Sequence, residues 1–115
     1  MYCALMLRRE LIAASAEPLI LSLLAQGESY GYAIIQEVLT RSKEQMRWTD
    51  GMLYPLLHRM ERKGFIGSRW AESETGRKRK YYFLKHKGAQ AMNKYHEQWS
   101  LVHSVLTGLR RRRHV

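Results

Sequence analysis

The most chemically pointed residues of this chain are cations set beside a helical pattern. Arg77, Lys78, Arg79 and Lys80 stand in an unbroken run, and upstream of them lies Thr49–Gly64, TDGMLYPLLHRMERKG. Within that segment Leu53, Leu56, Leu57 and Met60 fall at helical spacing on one side, with Pro55, His58, Arg59 and Arg62 on the other. The pattern predicts a short helix with an apolar back and a partly basic front. Guanidinium and ammonium groups pair with phosphate oxygens, and an arginine can also present two donors to a guanine edge. A charge run by itself is usually a solvated surface. Coming directly after a basic-faced helix, this run suits phosphate contacts beside a groove that the helix enters.

Other constellations lead to exclusions. His96 and His103 lie seven residues apart on one helical face, but no cysteine or acid at metal-ligand spacing joins them there. A solvated or internally satisfied histidine pair is expected, not a metal site. Cys3 is the only cysteine, which rules out an internal disulfide and a multi-cysteine zinc site. Nucleophile–base motifs, phosphate loops and paired carboxylates are absent from the sequence, so neither catalysis nor a cofactor is expected.

Composition sets the frame for these groups. The 115 residues make one modest domain, and a net charge of +10 with a pI near 10.1 calls for an anionic partner, nucleic acid or an acidic membrane surface. No apolar run approaches the roughly eighteen residues of a membrane span. The opening MYCALMLRREL lacks the pattern of a signal peptide, so a cytoplasmic protein is expected.

The positioning elements follow in chain order. Residues 1–16 are apolar and basic with helix formers, and Pro18 either starts a new helix or kinks a continuous one. LILSLLA, Leu19–Ala25, is apolar on nearly all sides and reads as a buried helix that Gly27 stops. Ser29 is placed to cap a helix over Tyr30–Leu39, with Ile34, Ile35, Val38 and Leu39 as its core stripe. A polar stretch, Thr40–Trp48, leads to the helix of Thr49–Gly64, which Thr49 or Asp50 caps and Gly64 ends. Phe65–Glu72 and Lys80–Leu84 are β-favouring, with a turn at Ser73–Gly76, so the cations sit on the tip and second strand of a hairpin. Tyr81, Tyr82 and Phe83 alternate across that strand, and aromatic core suits them better than base stacking. In His86–Leu109, the residues Met92, Tyr95, Trp99, Val102, Leu106 and Leu109 recur in steps of three and four, the seam of a pairing helix. That seam serves a two-fold dimer, packing on the first helix, or both.

These elements make a mainly α fold with a β-hairpin wing: a winged helix-turn-helix over residues 1–84, a dimerisation helix over 85–109 and a disordered basic tail over 110–115. QGESYGYAII, DGMLYPLLHRMERKGFI and GRKRKYYFL together resemble the PadR family of bacterial transcriptional regulators, over about Leu19 to Leu109. Tyr30, Gly31 and Tyr32 match the tyrosine–glycine–tyrosine that opens the family's second helix, and Leu53, Tyr54 and Pro55 match a step in its recognition helix. Trp99–Val102 looks like the small subfamily typified by a lactococcal multidrug-responsive repressor.

The resemblance implies a homodimeric repressor that binds a palindromic operator in double-stranded DNA and is released by a small molecule. Carried onto this sequence, Thr49, Gly51, Met52, Tyr54, Pro55, His58 and Arg59 face DNA or support that face, and Arg77, Lys78, Arg79 and Lys80 are wing contacts. For Tyr54, a phosphate contact through the hydroxyl and a core ring with a wet tip stand side by side. Trp99 matches the tryptophan that sandwiches planar aromatic ligands in the subfamily. His96 and His103 replace a phenylalanine and an acid expected near it, leaving Glu17 as the acid to face such a pore. Trp99 as plain dimer core is the competing role. From the residues alone, a basic architectural DNA-binding protein without ligand response is the second reading, carried by the charge and by Arg110–Arg113. Lys85 stands where the family has a capping threonine or serine, so the last helix is expected to start without a side-chain cap.

Overall fold

The computed structural model describes residues 7–112, arranged as α1 (Arg9–Ala25), β1 (Ser29–Tyr30), α2 (Gly31–Arg41), α3 (Asp50–Arg62), β2 (Ile66–Glu72), β3 (Lys78–Leu84) and α4 (His86–Arg112). The expectations for Cys3 and for residues 113–115 lie outside the described residues. The three strands form one antiparallel sheet in the order β1-β3-β2. This is the mainly helical, winged architecture expected from the sequence.

α1 runs unbroken through Pro18. The proline has no N–H to donate, and the Ser22 hydroxyl donates to the Pro18 carbonyl at 2.8 Å one turn on. Burial of Ala16, Ile20, Leu21 and Leu24 holds the helix against the core. α3 closes the same core with Leu53, Leu57 and Met60, all fully buried beside Ile34, Ile66 and Tyr82. Its start is capped as expected: the Thr49 Oγ1 accepts from the Met52 N–H at 3.3 Å. Its end falls at Gly64, whose φ of +78° is the left-handed stop that a side chain would resist.

Three local expectations are corrected. Ser29 does not cap α2. Ser29 and Tyr30 instead form β1, paired with Tyr82 and Tyr81 of β3, and the position before α2 is an extended Tyr30 with no side-chain cap. The long-range pairing wins because it also sets the Tyr30 and Tyr81 rings edge to face, 5.5 Å apart. Trp48, at the end of the stretch read as polar, is 6% exposed and belongs to the core. Arg110, Arg111 and Arg112 continue α4, so the tail expected to be disordered is helical through residue 112. Arginine is a good helix former, and cations in a last turn complement the helix dipole.

The hairpin pairs Ile66 with Leu84 through Glu72 with Lys78, so β3 begins two residues before the expected Lys80. The first half of α4 packs on α1, and Met92 and Tyr95 lie against the core. Farther along, Leu101, Val102, Val105, Leu106 and Leu109 are all exposed.

Candidate nucleic-acid interface

α3 and the wing enclose an open groove of about 690 Å³, lined by Tyr54 and His58 of α3, by Tyr30, Gly31 and Tyr32 around the start of α2, and by Trp70, Arg77, Lys78, Arg79, Lys80 and Tyr82 of the sheet and its turn. Of α3, only Tyr54 and His58 line the groove, and the amphipathic pattern decides what else the helix leaves exposed. With Leu53, Leu56, Leu57 and Met60 turned into the core, Gly51, Tyr54, Pro55, His58 and Arg59 are left on the outside. Thr49 and Met52 support this face: the threonine hydroxyl is engaged in the cap, and Met52 is half-buried against the core.

Tyr54 connects the two motifs singled out in the sequence. A Cβ added at Gly31 would collide with the Tyr54 hydroxyl and lie 2.6 Å from its Cζ. Glycine at the start of α2 is therefore what lets the Tyr54 ring close over that helix end, while the ring keeps 37% of its surface exposed. The tyrosine is both a packing ring and an open tip.

The four wing cations divide into two pairs. Arg77 and Lys78 are exposed. Arg79 lies 4.4 Å over the Tyr30 ring, and Lys80 lies 3.8 Å from Glu61 Oε1 and 5.6 Å over the Tyr82 ring. Glu61 also accepts from the Ser68 hydroxyl at 2.7 Å, tying the last turn of α3 to the wing. Burial, reinforced by Glu61, pushes the Tyr82 hydroxyl up to about 12, so the ring stays neutral under the cations. Arg79 and Lys80 thus brace the wing against its base, and Arg77 and Lys78, whose side chains pair with none among the described residues, stand at its tip.

A second, apolar pocket of about 370 Å³ opens between α1 and α4, lined by Leu7, Leu11, Pro18, Leu19, Met46 and Trp99, with Ser15, Ser22 and His96 as its polar members. His96 Nε2 lies 2.9 Å from the Ser22 hydroxyl, joining the two helices. Of the residues the sequence nominated for a ligand, the structure brings together Trp99 and His96. His103 lies exposed beyond the pocket lining. Glu17 does not face the pocket: its buried carboxylate accepts from Lys63 Nζ at 3.2 and 3.1 Å and from the Tyr95 hydroxyl at 3.0 Å. A carboxylate this deep needs partners, and it finds them at the C-cap of α3 and on α4. Burial, with the Glu17 contact behind it, raises the Tyr95 hydroxyl above its ordinary value. Among the described residues no group of three or more histidines, cysteines or acids is placed to hold a metal ion, and no helix is long and apolar enough to cross a membrane.

Sequence reasoning missed Trp70 and gave Tyr32 no role beyond its place in the tyrosine–glycine–tyrosine motif, although both are largely exposed in the groove. The strand period held a signal for Trp70, since counting by twos from the buried Ile66 places it on the α3 side of the sheet.

A helix presented beside a cationic wing, on a three-stranded sheet packed against α1, α2 and α3 with α4 lying on α1, defines a winged helix-turn-helix DNA-binding protein. The comparison with known proteins agrees and goes further. Residues 20–94 match the model of the transcriptional regulator PadR-like family, and the chain belongs to that family. A solved transcriptional regulator from Clostridium thermocellum is 30% identical, with a TM-score of 0.77 over 85% of this chain and 95% of its own. A PadR-like transcriptional regulator from Bacillus cereus is 28% identical, with a TM-score of 0.78 over 87% of this chain and 95% of its own. An uncharacterized protein from Lysinibacillus sphaericus is 28% identical over 88% of this chain and 93% of its own length. The chain is thus a DNA-binding transcriptional regulator.

Proposed function

We propose that this regulator is a homodimeric repressor that reads a palindromic operator and releases it when a planar aromatic molecule occupies the pocket at Trp99, as the multidrug-responsive subfamily suggests. The observation that carries the DNA half of this reading is the groove in which α3 and the wing tip present Tyr54, His58, Arg77 and Lys78 together. Arg59 stands on the same exposed face of α3, within the reach of a base edge or a phosphate. The pairing half rests on α4, where Val102, Leu106 and Leu109 continue the seam of Met92, Tyr95 and Trp99 beyond the core that covers its start. An apolar helix face of this length is best covered by its own copy across a two-fold axis. A dimer axis at α4 would place two α3 helices for two half-sites. Indole faces stack on flat rings and attract cations, which suits Trp99 to such a ligand.

The test is binding of the purified chain to its own upstream DNA and to random DNA, with flat aromatic compounds added and Trp99 emission followed. A selective, two-fold symmetric footprint that fades as the compound quenches Trp99 is the expected result. If Trp99→Ala leaves both dimerisation and the response unchanged, the ligand assignment is wrong. Equal affinity for both DNAs would favour the architectural reading, which the charge of +10 supports.

A further inference from the structure

Trp70 is 67% exposed, more than any other large apolar side chain among the described residues. It stands directly across the hairpin from Lys80, with Glu72 and Lys78 as the next pair on the same face. Its indole makes no ring stack or cation contact among the described residues, although cations adjoin it. It lines the same groove as Tyr54, His58 and the wing cations. A wide-open tryptophan in a cationic groove implies a partner surface that is apolar in patches and negative overall. The sugar–phosphate backbone has that composition, because deoxyribose faces are apolar and each is flanked by phosphates. An indole matches both parts, with a flat apolar face and one N–H donor on its edge.

We propose that Trp70 is a DNA contact of the wing. Its ring lies against deoxyribose of the strand flanking the bases that α3 reads, and its Nε1–H donates to a phosphate oxygen. The contact carries no base information, so it strengthens binding to every sequence. It rests on the placement of α3 and the wing on DNA described above. The charge around the ring argues against a protein partner here, which would need an acid-rich surface of matching shape.

Trp70→Ala and Trp70→Phe in the full chain test this, with its own upstream DNA and random DNA of equal length as probes. Trp70→Ala is expected to weaken both by roughly three- to tenfold, the scale of one lost aromatic contact. Trp70→Phe, which keeps a ring and loses the donor, is expected to fall between. In a Trp99→Phe background the remaining emitters are the buried Trp48 and the exposed Trp70, so DNA is expected to shift the emission. Trp70→Ala bound as tightly as the unchanged chain on both DNAs overturns the proposal. An Arg77→Ala/Lys78→Ala variant run in parallel separates the two failures. If it loses affinity while Trp70→Ala does not, only the role of Trp70 falls. If neither loses affinity, the wing itself is off the DNA.

Discussion

The two surfaces proposed to work in this chain are built on opposite principles. The groove between α3 and the wing is polar and cationic, and its shape is set by neighbours that lock one another: Gly31 admits Tyr54, Arg79 lies on Tyr30, and Glu61 joins Ser68 and Lys80. The face of α1 and α4 is apolar, and its outer half packs on nothing among the described residues. A charged polymer can be met by a pre-formed surface, because long-range attraction brings it in and backbone contacts orient it. An apolar face works only when covered, so it demands a second surface of matching shape. Glu17 joins the two regions, since one carboxylate holds Lys63 at the end of α3 and Tyr95 on α4.

The largest expected effect comes from breaking the apolar side. Leu106→Asp puts a charge in the exposed seam, where it would be buried between two copies. The protomer is expected to stay folded, since Leu106 touches no core, while the sedimentation profile shifts to monomer. Operator affinity is then expected to fall by about 10²-fold or more, because two half-sites are no longer bound by one linked particle. An unchanged dimer would place the pairing surface elsewhere.

On the DNA side, α3 and the wing are expected to fail differently. Arg59→Ala is expected to cost about 1–3 kcal/mol on the operator and to relax the preference at one base position, as read by competition with single-base variants. Arg77→Ala/Lys78→Ala is expected to weaken all sequences and to flatten the plot of log affinity against log salt by about 2 per protomer. A smaller effect concerns the sheet under the wing. Tyr82 keeps its proton up to about pH 12 in the fold, against an ordinary value of 10.0, so its share of stability is intact below pH 10 and is lost as pH rises toward 12. Tyr82→Phe is expected to decline less steeply in that range when unfolding midpoints are followed against pH. An identical slope would mean that Tyr82 is not the buried phenol that matters.

Elements whose causes are local were readable in the sequence. Thr49–Gly64 carried its cap, its apolar stripe and its left-handed stop within one segment, and α3 follows it closely. The hairpin was legible for the same reason, apart from the start of β3. β1 was not, because two residues have no period of their own and Ser29 and Tyr30 become a strand only through Tyr82 and Tyr81 far down the chain. Trp48 sits among polar neighbours that hide it in the sequence, although it belongs to the core. In the site, residue types pointed to the α3 face and the wing, but not to the division of the wing cations into two braced and two open. That division depends on Tyr30 and Glu61, which contact the wing only in the fold. Glu17 was misplaced for a related reason: a helical position specifies a face, whereas its partners Lys63 and Tyr95 come from two other elements.

In the proposed function α3 reads sequence while the wing supplies general attachment. The most direct test is the affinity of Arg59→Ala and of Arg77→Ala/Lys78→Ala for the chain's own upstream DNA and for random DNA, each across a series of salt concentrations. Arg59→Ala is expected to narrow the ratio between the two DNAs, and the wing variant to leave the ratio intact while lowering the salt slope. Equal losses on both DNAs from both variants would contradict this division, leaving Arg59 as one more phosphate contact.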